Sequence, residues 1–210
     1  MNNVREEIEN YLKELAAVDD EPVLLEMEAL AREKSFPIID RLCGQVLEVM
    51  ASAVGAKRIF EMGSGYGYSA YWFARATGAD GEIHLTDMDP ANEKLALGFL
   101  GRAGLDGPID YHVSDAFSAF NSTEGEFDIV YCDIDKDGYR EAWRLAKERV
   151  RVGGLYMCDN MLWSGRVAEP DKDATTQGID ETNRMIANDP DWRSFILPTR
   201  DGVVIATRTR

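Results

Sequence analysis

The chain is poor in the residues that would tie it to an oxidising compartment, a membrane or a nucleic acid. Cysteine occurs three times in 210 residues, at positions 43, 132 and 158. The count is odd, the spacings are long, and neither a CxxC nor a zinc pattern occurs among them, so they do not read as a disulfide framework. Two of the three lie in apolar strand-like runs, where a free thiol behaves as a small buried hydrophobe, and all three are expected to be reduced and structural. Histidine occurs twice, and His84 and His112 both sit in strand-like runs and are read as structural. No apolar run approaches the ~18–20 residues of a membrane span. The first residues, Met1-Asn2-Asn3-Val4-Arg5-Glu6-Glu7, are polar and do not read as a secretory signal, so a cytoplasmic location is expected. Positive charge is scarce: 23 Lys and Arg against 38 Asp and Glu give a net charge of −15. Such a surface repels phosphate backbones, which disfavours nucleic acid and anionic membranes as partners. The acidic surplus reads as a device for solubility or as an acidic surface tuned for salt.

What remains is the composition of a globular domain, 45% hydrophobic and 29% charged, with no repeat and no low-complexity linker. One domain over residues 1–210 is expected, with a helical region at 1–54 and a core at 55–210. Residues 3–17 and 23–34 read as helices separated by Asp19-Asp20-Glu21-Pro22, and 38–54 carries a helical apolar stripe. Strand and helix patterns then alternate: strands at 57–62, 82–87, 109–113, 127–133 and 154–159, helices at 68–77, 91–103, 139–150 and 178–188. Residues 192–197 and 203–207 flank Pro198-Thr199-Arg200-Asp201-Gly202, a hairpin signal. The alternation predicts an α/β fold with a mostly parallel sheet, helices on both faces and one antiparallel hairpin at its end. Ligands of such sheets bind beyond the carboxyl ends of the strands.

Those strand ends carry unusual polar residues. After the first strand comes Glu61-Met62-Gly63-Ser64-Gly65-Tyr66-Gly67-Tyr68-Ser69, a turn whose glycines admit a ligand close to backbone N–H groups. Asp87 closes the next strand, where a ribose-binding carboxylate belongs. Tyr68 occupies the place of the third glycine of a dinucleotide fingerprint, and no phosphate-loop lysine follows, which weakens NAD or FAD and excludes a Walker-type ATP site. A carboxylate at Glu61 would repel a pyrophosphate and suits a ligand with a cationic group and free hydroxyls, as in S-adenosylmethionine. Asp133-Ile134-Asp135-Lys136 and Asp159-Asn160 follow two further apolar strands. Asp and Asn at such places also cap helices and turn chains. Their joint placement favours a hard oxygen set for Mg²⁺.

Glu61–Ser69, Asp133–Tyr139 and Gly153–Gly165 resemble the three signature blocks of the cation-dependent O-methyltransferases, the family of caffeoyl-CoA and catechol O-methyltransferases. Gly44-Gln45 and Asp201-Gly202 extend the resemblance, which covers most of the chain from about residue 35. It implies a Rossmann-like, doubly wound, seven-stranded sheet with extra N-terminal helices. By resemblance, Asp133, Asp159 and Asn160 bind a divalent cation (Mg²⁺, or Mn²⁺ or Ca²⁺), and Lys136 is the general base beside Asp133. Glu61, Gly63, Tyr68 and Ser69 would line the methionine part of S-adenosylmethionine. Asp87 would hold the ribose, Met88 would lie against the adenine, and Asp115 and Ala116 would meet its edge. Asp133 also borders the cofactor, and Trp163 would flank a catechol-type acceptor. A homodimer is implied, with Leu24, Leu25, Met27 and Leu30 on the segment expected to form it or to cover the acceptor pocket.

Ile134 stands where the family often has a small residue, which predicts a tighter pocket. The loop 166–177, with Glu169, Asp171 and Asp173, reads as an acidic lid that disfavours a coenzyme A thioester and favours a small neutral or cationic catechol. Three other functions compete. Methylation of hydroxylated tRNA bases is opposed by the net charge. A nucleotide-dependent oxidoreductase is opposed by Tyr68 and by the lack of a substrate domain. A non-catalytic S-adenosylmethionine-binding protein is opposed by the retained Lys136, Asp133, Asp159 and Asn160.

Overall fold

The computed structural model describes residues 6–16 and 21–210. Helix α1 (Glu6–Ala16) falls within the helix expected at 3–17, while residues 1–5 and the expected break at Asp19-Asp20 lie outside the described residues. Helices α2 (Pro22–Lys34) and α3 (Arg41–Ala53) follow, then β1 (Arg58–Met62), α4 (Tyr68–Thr77), β2 (Glu82–Asp87), α5 (Pro90–Arg102), β3 (Ile109–Val113), α6 (Ala116–Ser122) and β4 (Phe127–Cys132). The chain continues through α7 (Tyr139–Arg149), β5 (Val150–Cys158), α8 (Ala174–Ala187), β6 (Trp192–Leu197) and β7 (Val203–Arg208).

The seven strands of the described residues form one sheet in the order β3-β2-β1-β4-β5-β7-β6. The first five are parallel; β7 runs antiparallel to β5 and β6 antiparallel to β7. Side chains alternate across the sheet with the period of two that a strand imposes. Ile59, Ile83, Leu85, Ile129, Tyr131 and Met157 face one layer with Cys43, Leu47, Trp72 and Phe73 of α3 and α4. Phe60, Met62, Val130, Cys132, Tyr156 and Cys158 face the other, with Phe120, Trp143 and Ile179 of α6, α7 and α8. All three cysteines are free and buried, as expected.

Several boundaries differ from those read in the sequence. The helix expected at 38–54 begins at Arg41, because Asp40 is its cap and accepts from Cys43 N at 2.9 Å. Pro37-Ile38-Ile39 is therefore not helical, although it continues the apolar pattern. Asp173 likewise caps α8 through Thr176 N at 2.8 Å, so that helix starts four residues before position 178. The short α6 was not foreseen; Asp115 caps it through Ser118 N at 2.9 Å. Strand β5 starts at Val150 rather than Gly154 and shifts register against β4 between Phe127 and Ile129. Leu24 and Met27 are fully buried in the chain's own core, so they offer no surface to a second copy; Leu25 is exposed.

No described helix is long and apolar enough to cross a membrane. The pairing that matters most for function is the alignment of strand ends. Met62 lies opposite Cys132, and Cys132 opposite Cys158. The residues that follow these three strands leave the sheet side by side, at the point where the chain winds outward in both directions from β1 and β4.

Candidate active site

Beyond those strand ends lies a cleft of about 720 Å³. Its floor is sewn together by the backbone: Asp133 N donates to Met62 O at 2.9 Å and Asp159 N to Cys132 O at 3.2 Å. At Gly63, whose φ is +81°, an added Cβ would come within 3.0 Å of the Asp133 carbonyl. Only glycine tolerates both the backbone angle and this approach. The turn is braced from β2, where Thr86 Oγ1 donates to Glu61 O at 2.9 Å and accepts from Gly63 N at 3.0 Å.

Glu61 lies beneath the glycine turn, fully buried. One carboxylate oxygen accepts from Ser69 Oγ; the other, Oε2, has no hydrogen-bond partner. Burial pushes its carboxyl up to about 8, opposed by the Ser69 hydrogen bond and reinforced by Asp133. A buried carboxylate with an orphaned oxygen is costly unless a cationic or hydrogen-bonding ligand meets it. Farther along the same wall, Asp87 Oδ1 accepts from Asp89 N at 2.8 Å and from Asn92 Nδ2 at 3.1 Å, which holds the carboxylate at the cleft. Met88 presents an apolar side chain, 72% exposed, to the same space. Asp115 and Ala116 complete this side.

The opposite end carries the acidic and amide groups. Lys136 Nζ donates to Asn160 Oδ1 at 2.6 Å and to Ile134 O at 3.2 Å, and stands 3.8 Å from Asp133 Oδ1. Asp159 is buried, and its Oδ1 has no hydrogen-bond partner. Burial, then the neighbouring Asp159, raises the Asp133 carboxyl to about 7 against the pull of Lys136 and Arg200. Burial likewise raises Asp159. Two carboxylates and an amide oxygen side by side at the cleft, with one oxygen of the buried Asp159 orphaned, are the hard donor set of a divalent cation. The residues present therefore fit such an ion. Asn160 takes a left-handed backbone at φ +58°, and Trp163 and Ser164 follow at +47° and +55°. The β6–β7 hairpin holds this strained loop: Met161 N donates to Gly202 O and Leu162 N to Asp201 O, each at 2.8 Å, and Asp201 Oδ1 accepts from Ser164 N. A Cβ at Gly202 would come within 3.0 Å of Leu162, which is the physical reason for the Asp201-Gly202 pair.

Of the residues expected at the site, Gly63, Tyr68, Ser69, Asp87, Met88, Asp115, Ala116, Asp133, Lys136, Asp159 and Asn160 line the cleft. Glu61 lies under it. Trp163 stands beside Lys136, its ring centre 5.9 Å from Nζ, rather than in the lining itself. The expected acidic lid is not found over the cleft: no residue of 166–177 lines it, and Asp173 is occupied with capping α8 and pairing with Arg166. Two features escaped the sequence. Arg200, on the hairpin turn, lines the cleft 3.9 Å from both Asp159 Oδ2 and Asp40 Oδ2. Phe36–Ile39 lines it too and opens a second cavity of about 650 Å³, walled by Glu28, Ala31 and Arg32 of α2. Tyr68 joins the two spaces, its hydroxyl donating to Glu28 Oε1 at 2.8 Å while Arg41 pairs with the same oxygen at 2.7 Å.

Comparison with known proteins gives this geometry its context. The model of one family, described as O-methyltransferase, matches residues 10–209. A caffeoyl-CoA O-methyltransferase from Medicago sativa is 31% identical over 181 residues, 80% of this chain and 73% of its own length. A catechol O-methyltransferase from Niastella koreensis is 29% identical over 192 residues, covering 88% and 86%. Among solved structures, the O-methyltransferase TomG from Streptomyces achromogenes, in complex with SAM, superposes with a TM-score of 0.84 at 26% identity, over 91% of this chain and 92% of that one. Family model, relatives and fold agree along nearly the whole sequence, and the chain belongs to the O-methyltransferase family.

Proposed function

We propose that this protein transfers the methyl group of S-adenosylmethionine to a hydroxyl of a catechol-type small molecule held on a divalent cation. The observation that carries the reading is the pair of buried, orphaned oxygens at one cleft, Glu61 Oε2 beneath its glycine turn and Asp159 Oδ1 in its lining. The first suits the cationic methionine part of the cofactor and the second a metal. The names of the relatives and the SAM complex of TomG support the same assignment.

S-adenosylmethionine, when bound, would supply a sulfonium-activated methyl carbon, transferable in line to a phenolate oxygen as the carbon–sulfur bond breaks and the neutral thioether leaves. The cation supplies Lewis acidity: moving a phenol from a pKa of ~10 to ~7 takes about 4 kcal/mol of preferential oxyanion stabilisation. The chain's own residues do the rest. Asp87 is held to receive ribose hydroxyls, Met88 to cover the adenine, and Asp115 and Ala116 to meet its edge. Asp133, Asp159 and Asn160 would hold the divalent cation. A neutral Lys136 amine has two hydrogens and one lone pair. Asn160 Oδ1 and Ile134 O occupy the hydrogens, which leaves the lone pair to take the acceptor's proton. Trp163, beside Lys136, is placed to limit how the acceptor ring turns.

The test is methyl transfer from S-adenosylmethionine to caffeic acid with Mg²⁺ and with EDTA. Turnover that EDTA abolishes and Mg²⁺ restores is expected. Turnover that survives EDTA removes the metal from the reaction, and an absence of S-adenosylmethionine binding by calorimetry overturns the assignment of the glycine turn.

A further inference from the structure

The two histidines of the chain, 28 residues apart, meet on the outer edge of the sheet. Parallel pairing of β2 and β3 sets His84 opposite Asp110, and His112 lies two residues farther along the same strand face. His84 Nδ1 is 3.1 Å from His112 Nε2 and 3.2 Å from Asp110 Oδ2, and His112 Nε2 is 3.4 Å from that oxygen. Three donor atoms thus form a nearly equilateral triangle. Ligands around a tetrahedral Zn²⁺, with bonds of roughly 2.0–2.1 Å, are separated by about 3.3–3.4 Å.

The surroundings fix how these atoms are used. Glu82 Oε1 lies 2.6 Å from His84 Nε2, and Arg58 grips Glu82 through Nε at 2.9 Å and Nη2 at 3.2 Å. A carboxylate that close requires a hydrogen on Nε2, so a neutral His84 turns its Nδ1 lone pair toward Asp110 and His112. One hydrogen, on His112 Nε2, then serves both Nδ1 and the Asp110 carboxylate. A divalent cation takes the place of that hydrogen, which moves to His112 Nδ1 without net proton release. The carboxylate behind a ligating histidine is the outer-shell arrangement that orients the ring and raises its basicity. His84 is held by packing against Phe60, whereas Asp110 is 59% exposed and leaves a path for the ion.

We infer that His84, Asp110 and His112 form a second metal site, for a borderline divalent ion such as Zn²⁺, separate from the oxygen-rich set in the cleft. Two imidazoles and one carboxylate select Zn²⁺, Co²⁺ or Ni²⁺ over Mg²⁺ and Ca²⁺. The ion would pin β3 to β2 just before Ser114–Ala116, the adenine wall of the cleft. Its role is to brace the fold, so it requires no turnover to be detected.

The test titrates Zn²⁺ into the metal-stripped full chain in excess Mg²⁺, added to compete for the oxygen set proposed in the cleft, by competition with a chromophoric chelator. One Zn²⁺ equivalent is expected, together with a higher Tm. His112→Ala and Asp110→Ala should abolish both, and Glu82→Gln should weaken affinity roughly 10–100-fold. Asp110 lies on the surface, so its variant keeps the fold, checked by circular dichroism. No Zn²⁺ binding in the presence of Mg²⁺, or binding that both His112→Ala and Asp110→Ala leave unchanged, overturns the inference.

Discussion

Replacing Glu61 by Gln should make the ligand-free protein more stable at neutral pH while weakening its hold on the cofactor. Burial raises the Glu61 carboxyl from 4.5 to about 8. Within that window the folded chain keeps the proton and the unfolded chain releases it. The unfolded state therefore binds fewer protons, and stability falls as pH rises. Each pH unit costs about 1.4 kcal/mol, so by pH 7 the loss is about 3 kcal/mol, and above pH 8 it levels off. Gln has no proton to lose. It places an amide nitrogen or oxygen at the same orphaned position, which makes about 3 kcal/mol an upper bound at pH 7. Urea unfolding of both proteins at pH 5, 6, 7 and 8, without S-adenosylmethionine and with EDTA, measures the difference. It should be small at pH 5 and grow to its maximum near pH 8 in favour of Glu61→Gln. A difference independent of pH, or one favouring the wild type throughout, refutes a buried ionisation at this position. Calorimetry should show weaker S-adenosylmethionine binding by the variant, because the lost charge is the one proposed to meet the ligand.

Three other substitutions probe separate parts of the molecule. Gly44→Ala puts a Cβ within 2.6 Å of three Trp72 ring atoms at the α3–α4 contact. Overpacking of about 1–3 kcal/mol should lower the Tm by roughly 2–12 °C in a melting curve; an unchanged Tm contradicts the packing. Asp128→Ala strips acceptors from Lys57 N and Arg58 N, both at 2.7 Å, and from Arg151, at a cost of about 2 kcal/mol in urea. Although burial opposes it, the Arg151 hydrogen bond and the two N–H groups hold the Asp128 carboxyl below its ordinary 3.8. The stability it supplies at neutral pH is lost as the pH falls through the acid range, and the variant should lack that limb of the acid-unfolding profile. Lys136→Met should lower kcat on caffeic acid by about 10²–10⁴ with little change in KM; an unchanged kcat takes Lys136 out of that role.

The carboxyl edge of the sheet was legible because apolar strands that end in Asp or Gly announce both the strand and the exit of a polar side chain. Gly63, Asp133 and Asp159 are of this kind. Features set by tertiary contact were not legible. Phe36–Ile39 continues the apolar stripe of α3 and differs from a helix only through the cap at Asp40. Arg200 sits on a turn, where an arginine reads as solvated, and only the closure of the hairpin over the loop after β5 turns it toward Asp159. Helix α6 is seven residues long, too short to show a period. His84 and His112 carry no local spacing signal, because strand pairing alone brings them together. The loop at 166–177 misled in the opposite direction: its charge was visible, but its direction was not.

The strand order separates the two reactants by lineage of the chain. Everything proposed to touch the methyl donor alone comes from residues 61–116, on β1, β2, β3 and the turns after them. The far bank of the cleft is assembled from three distant pieces: the approach to α3, the ends of β4 and β5, and the β6–β7 turn. Under the proposed assignment, a change at Arg200 alters the far bank alone, whereas Phe36, whose ring centre is 5.0 Å from that of Tyr66 on the glycine turn, is shared by both halves. Descendants of such a scaffold would diversify in what they modify while keeping a common way of holding what they modify it with.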